Sequence, residues 1–113
     1  DKLKQILTNL VTNAIKYSPK ESIITIRVYQ LTEQEQLMLE VEDNGQGVSV
    51  KHQRRLFERF YRVDKGRSRD EGGTGLGLAI VKHLVDAMGG HVGFRDADPH
   101  GSIFWVRLNV VFD

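Results

Sequence analysis

Apolar side chains at Leu3, Ile6, Leu7, Leu10, Val11, Ala14 and Ile15 recur at helical spacing and predict an amphipathic helix over residues 2–17. Ser18-Pro19 ends it, because the residue before a proline is biased away from helical backbone. The period then shortens to two. Residues 23–29 (Ile-Ile-Thr-Ile-Arg-Val-Tyr) and 37–42 alternate and are rich in apolar and β-branched positions, so with the polar connector 30–36 they predict a hairpin. Asp43 to Val48 is polar and glycine-rich, hence a loop. Residues 50–59 are basic and helical in character, with Ser49 placed to cap them. Val63 to Gly73 carries almost no apolar residue to anchor it and reads as a mobile loop. Helical spacing returns from Leu76 to Met88, and Gly89-Gly90 follows where glycine is favoured after a helix. Strands over about 91–95 and 102–111 flank a turn at Asp98-Pro99-His100-Gly101. This order predicts an α+β fold, a two-layer sandwich with about three helices on one face of a mixed sheet.

Composition narrows the class of protein. At 113 residues the chain is one domain, 1–113, with room for one core that removes roughly two thirds of the unfolded surface from water. Its 40% hydrophobic and 27% charged residues are those of an ordinary globule. A net charge of +1 supplies no basic field, so neither nucleic acid nor direct membrane contact is expected. No apolar run approaches the ~18 residues of a membrane helix, and no signal peptide opens the chain. The absence of cysteine excludes a disulfide framework and a cysteine nucleophile, and fits a cytoplasmic domain. The chain starts with Asp1, not methionine, at the edge of a helical pattern. It is therefore expected to be a piece of a longer protein, which a membrane can anchor.

Candidate chemistry lies in four segments. On the first helix Asn9, Asn13 and Lys16 fall within a sector about 60° wide beside the apolar stripe. Asparagine is a poor helix former, so two on one line are a local cost. Either the carboxamides and the lysine meet a magnesium ion and phosphate oxygens, or they are a solvated polar edge. Tyr17 at the helix end stacks on a base or covers the core. Asp43 follows a strand and precedes Gly45 and Gly47; its carboxylate is placed either to accept from the exocyclic amino group of adenine or to close an ordinary Asp-Asn-Gly turn. Phe57, Phe60 and Tyr61 stand among Arg59 and Arg62, packing the core or anchoring a loop from which Arg62 reaches a terminal phosphate. Finally Gly73-Thr74-Gly75-Leu76-Gly77 enters a helix, where free N–H groups and the positive helix end suit a polyphosphate. It is neither a dinucleotide fingerprint nor a Walker loop.

Taken in order, Asn9-Leu-Val-Thr-Asn13-Ala-Ile-Lys-Tyr17, Asp43-Asn-Gly-Gln-Gly47, Phe57-Glu-Arg-Phe-Tyr-Arg62 and Gly73-Thr-Gly-Leu-Gly-Leu78 resemble the asparagine, first glycine, phenylalanine and second glycine boxes of sensor histidine kinases. The resemblance runs from about residue 3 to 110. It implies the Bergerat-type ATP-binding fold shared with DNA gyrase, MutL proteins and heat-shock chaperone ATPases, with ATP and Mg2+ as cofactors. On that resemblance Asn13 is the magnesium ligand, Asn9 its neighbour by the phosphates, and Lys16 and Arg62 phosphate contacts. Tyr17, Gly45, Gly47, Val48 and Phe60 border the nucleotide, and Asp43 takes the adenine amino group. Gly73, Thr74, Gly75, Leu76 and Gly77 shape the phosphate loop, with 62–72 as an ATP lid.

Gyrase-like ATPases carry a glutamate four residues before the magnesium asparagine; here that residue is Asn9, which cannot act as a general base at neutral pH. The resemblance therefore implies a phosphate donor rather than a hydrolase or a degenerate interaction module. None of His52, His83, His91 and His100 precedes an acidic residue, as the phosphoacceptor of such kinases typically does. The implied partners are dimerisation and phosphoacceptor helices outside this chain and a cognate response regulator. The family's first strand, normally before the asparagine-box helix, is also expected to lie outside it.

Overall fold

The structure is a computed structural model that describes residues 1–31, 33, 35–59, 61 and 77–109, without the Tyr17 side chain. Helix α1 spans Lys2–Tyr17. Asp1 caps it, its carboxylate accepting from Lys4 N–H at 3.0 Å, and Ser18 leaves it in extended backbone ahead of Pro19. Ile6, Leu10 and Ala14, four apart, form the buried ridge. Helix α3, Gly77–Ala87, sets Val81 and Val85 against α1 and the sheet with no exposed surface left. It ends as its two glycines predict. Gly89 is left-handed at φ 74°, Gly90 N–H reaches Val85 C=O at 2.9 Å, and Gly89 N–H reaches Asp86 C=O at 3.0 Å.

The expected helix over 50–59 is shorter. Helix α2 covers Val50–Gln53 and buries nothing; Ser49 sits at its cap without a side-chain hydrogen bond. Beyond it the chain runs in successive three-residue turns, from Arg55 N–H to His52 C=O and from Glu58 N–H to Arg55 C=O. Leu56 is the one fully buried anchor in 50–59, too little for a helical face.

Four strands follow the period-two segments: β1 Ile24–Leu31, β2 Gln36–Asp43, β3 His91–Asp96 and β4 Ser102–Asn109. Their order is β1-β2-β4-β3. Every pairing among the described residues is antiparallel, where a mixed sheet was expected. The helical crossover from β2 does bring β3 back parallel to it, but β4 hairpins into the gap and separates the two.

One sheet face carries Leu39 and Val41 of β2 opposite Val106 and Phe104 of β4, with Val92 and Phe94 beyond. This face and the two long helices enclose the core. Phe104 meets Phe94 and Phe57 edge-on, at centroid distances of 5.2 and 6.1 Å. The helices stop short of β1, whose Ile26 and Val28 stay exposed.

The other face holds Arg27, Tyr29, Glu40, Glu42, Arg95 and Trp105. A side chain at Gly93 would run into the Trp105 indole, so glycine there lets the ring lie flat on the sheet. Glu40 lies at the centre, 3% exposed. Its Oε2 accepts from Tyr29 OH and Arg95 Nη2, both at 2.7 Å, and its Oε1 from Arg27 Nη1 at 3.5 Å. Arg27 also reaches Glu42 at 2.7 Å. Burial pushes the Glu40 carboxyl up, but the hydrogen bonds from Arg95 and Tyr29 and the charges of Arg95 and Arg27 outweigh it and hold it below the usual glutamate value.

Candidate nucleotide site

Strand β2 ends on Asp43, 8% exposed, directly across from Ser102 at the start of β4. Gly45 N–H donates to Asp43 Oδ1 at 2.9 Å, and no other described group pairs with this carboxylate. Past it, the loop 43–48 is pinned from three sides. Asn44 Oδ1 accepts from Ile23 N–H at 2.8 Å, and Gln53 Nε2 bridges Val48 C=O at 2.8 Å and Asp96 at 3.2 Å. His100 Nδ1 lies 2.8 Å from Gly45 C=O.

The loop's glycines are dictated by space. A Cβ on Gly45 would stand 3.1 Å from Asp43 Oδ1, 3.4 Å from Pro19 Cδ and 3.8 Å from Ser18 Oγ. Gly47 has φ 81°, and a Cβ there would meet Gly101 C=O at 3.2 Å. Gly101 in turn, at φ 117°, lies so close to the Asp43 carbonyl that no side chain fits.

The same contacts bring the end of α1 to this loop. Ser18 Oγ is buried with no hydrogen-bond partner among the described residues, which is costly unless something fills the need. Asn13 lies about 8 Å back along the helix at 1.5 Å per residue. Asn9 and Asn13 are half-buried and Lys16 is exposed, and none of the three side chains has a hydrogen bond among the described residues. The described residues thus bring Ser18 and Pro19, at the end of the helix that carries Asn9, Asn13 and Lys16, against the Asp43–Gly45 turn.

Phe57 packs on Phe104, the core role among its alternatives. Tyr61 hydrogen-bonds His52 Nδ1 and lies under the Arg55 guanidinium, 4.4 Å from the ring centroid. Gly77 opens α3 with open space where a Cβ would be. The expectations for Phe60, Arg62, Gly73, Thr74, Gly75, Leu76, the lid 62–72 and the Tyr17 ring lie outside the described residues and side chains.

Among the described residues no cluster of three or more His, Asp or Glu side chains is placed to hold a metal. The carboxamide of Asn13 is a hard oxygen donor, and one such ligand suits magnesium held chiefly by phosphates and water. The residues present therefore fit both groups: Asn13 the ion, and the Gly45 cradle with the Ser18 hydroxyl and Asp43 a flat polar base.

Sequence reasoning missed Ser18, Ser102, His100 and Gln53. The signal available was the His-Gly-Ser run before an apolar strand, which marks a left-handed turn but not what the turn touches.

The histidine kinase-, DNA gyrase B-, and HSP90-like ATPase family matches residues 1–111, and the chain belongs to that family. Its relatives are sensor kinases. The sensor protein CiaH of Streptococcus pneumoniae is 44% identical over 108 residues, 96% of this chain and 24% of CiaH. The sensor histidine kinase WalK of Bacillus subtilis is 48% identical over 92 residues, 81% of this chain and 15% of WalK. The chain thus spans a quarter or less of these relatives. Among solved structures, the mycobacterial sensor histidine kinase MprB superposes with a TM-score of 0.84 at 34% identity, over 95% of this chain and 71% of that one. Full-length ShkA in complex with AMPPNP superposes at 0.83 with 32% identity, over 99% of this chain and 22% of that one.

Proposed function

We propose that this chain is the ATP-binding catalytic domain of a sensor histidine kinase, holding Mg-ATP and presenting its γ-phosphate to a histidine on separate dimerisation and phosphoacceptor helices. The observation that carries it is the buried Asp43 carboxylate, bonded among the described residues to Gly45 N–H alone, beside a glycine cradle that meets the end of the helix bearing Asn9 and Asn13. Asp43 accepts from the adenine amino group, which fixes the base and excludes guanine. Ser18 and Ser102 offer further hydroxyls around that edge, and Gly45 keeps the floor flat. Asn13 ligates magnesium, which neutralises phosphate charge. Lys16 and Arg62 meet phosphate oxygens, Asn9 lines them without activating water, and Gly73, Gly75 and Gly77 supply backbone donors. Phosphoryl transfer rests mainly on such positioning and charge neutralisation. That the ShkA structure holds an ATP analogue supports the reading.

In the whole protein the domain works in the cytoplasm, upstream of a cognate response regulator; no described helix is long and apolar enough to cross a membrane. The chain mixed with labelled ATP and the parent's phosphoacceptor helices should yield an acid-labile phosphohistidine on the helices, and none on itself. No transfer despite ATP binding would defeat the proposal. Rapid phosphate release by the chain alone would favour a gyrase-type hydrolase instead.

A further inference from the structure

The β3–β4 turn is bound to the Asp43 loop by contacts that the kinase reading leaves without a purpose. Gly45 has both backbone groups committed: its N–H to Asp43 Oδ1 at 2.9 Å and its C=O to His100 Nδ1 at 2.8 Å. Behind it Gly101 packs directly on the Asp43 carbonyl, and its own carbonyl accepts from Ala97 N–H at 3.1 Å, closing the turn. A carbonyl only accepts, so Nδ1 carries the proton, and the contact persists whether Nε2 is protonated or not. The ring is otherwise exposed and has no other hydrogen bond among the described residues. This exposed histidine thus ties together two turns 55 residues apart along the chain.

We infer that His100 is a positioning residue for base recognition: by holding the Gly45 carbonyl it restrains the backbone of the glycine whose N–H orients the Asp43 carboxylate. This rests on the proposed adenine role of Asp43. It acts on the base end of the nucleotide alone, so its effect belongs to the adenine amino group and not to the phosphates.

The test compares ATP with ITP, which carries an oxo group where ATP has the amino group, by titration calorimetry on the 113-residue chain. Wild type should bind ATP more tightly. His100→Ala should weaken ATP roughly three- to tenfold, the range of one neutral hydrogen bond, and leave ITP within twofold. His100→Asn places an amide N–H at the same two-bond reach from Cβ as Nδ1 and should restore ATP binding; His100→Gln, one bond longer, should not. Equal weakening of ATP and ITP, or no rescue by asparagine, would overturn the inference while the kinase reading stands. If wild type itself fails to prefer ATP, the adenine role of Asp43 falls, and this inference with it.

Discussion

Glu40 and Asp43 sit three residues apart on β2, both nearly closed off from water, and the odd spacing turns them to opposite faces of the sheet. Glu40 is saturated: two arginines and a tyrosine hydroxyl converge on it, and the open face of the sheet is organised around it. Asp43 has one backbone N–H and a glycine loop built around it. A buried carboxylate saturated by its own chain serves the fold; one that keeps acceptor capacity among the described residues, beside a buried hydroxyl with none of its own partners there, has room for a further donor. The two should therefore fail differently when altered.

The larger effect belongs to Glu40. Glu40→Gln removes the charge and turns amide hydrogens toward Arg95, and should cost about 2 kcal/mol of stability. Its arginine partners are each roughly half exposed, 43% and 49%, which keeps the loss below that of a fully buried pair. Urea unfolding measures it, and ATP affinity should not change. Asp43→Asn reverses the pattern. Its amide oxygen still accepts from Gly45 N–H, so stability should hold within about 0.5 kcal/mol, while ATP binding weakens tenfold or more, about 1.4 kcal/mol. Calorimetry that finds ATP affinity lost in Glu40→Gln and kept in Asp43→Asn would invert the assignment of the two carboxylates.

The two carboxylates also differ in how plainly the sequence marks them. The turn at Asp43 was legible because its surroundings are local: a strand ending, an Asp-Asn-Gly step, and glycines two and four residues on. The α1 stripe, the hairpins and the Gly89 stop were legible for the same reason, each being written within one turn or one alternation. Alternation even puts Glu40 on the outer face, but a glutamate there reads as solvated. Its burial depends on Arg95, 55 residues distant, reaching across β4, and that adjacency follows from a crossover no local pattern records. His100 escaped for the same reason. The helix expected over 50–59 failed on a different count: local helical character without enough buried face to pay for ordering it.

The third prediction separates charge from shape at Glu40. The folded-state carboxyl is held below its usual value, so its contribution is present in full above the ordinary glutamate range and is lost as pH falls through that range to the folded value. The stability gap between wild type and Glu40→Gln should therefore be widest near neutrality and close as the medium is acidified below the ordinary glutamate range. A gap that stays constant down to that acidity would make the loss one of shape and not of charge.

The smallest effect is expected at Tyr29→Phe, which deletes one hydroxyl at 2.7 Å from Glu40 and little else. The hydrogen bond to Glu40, then burial and the Glu40 charge, push the Tyr29 phenol up, against the opposing charges of Arg95 and Arg27. Its stabilisation is thus full below the ordinary tyrosine range and is lost only as pH rises through the raised value. At neutral pH the phenylalanine variant should lose about 1 kcal/mol, since Arg95 and Arg27 still face Glu40. In the Glu40→Gln background the same substitution should cost less, because the charged acceptor is gone; a double-mutant cycle reads the difference. Additive losses would show that Tyr29 and Glu40 are neighbours and not partners, and would leave the saturation of Glu40 to the arginines alone.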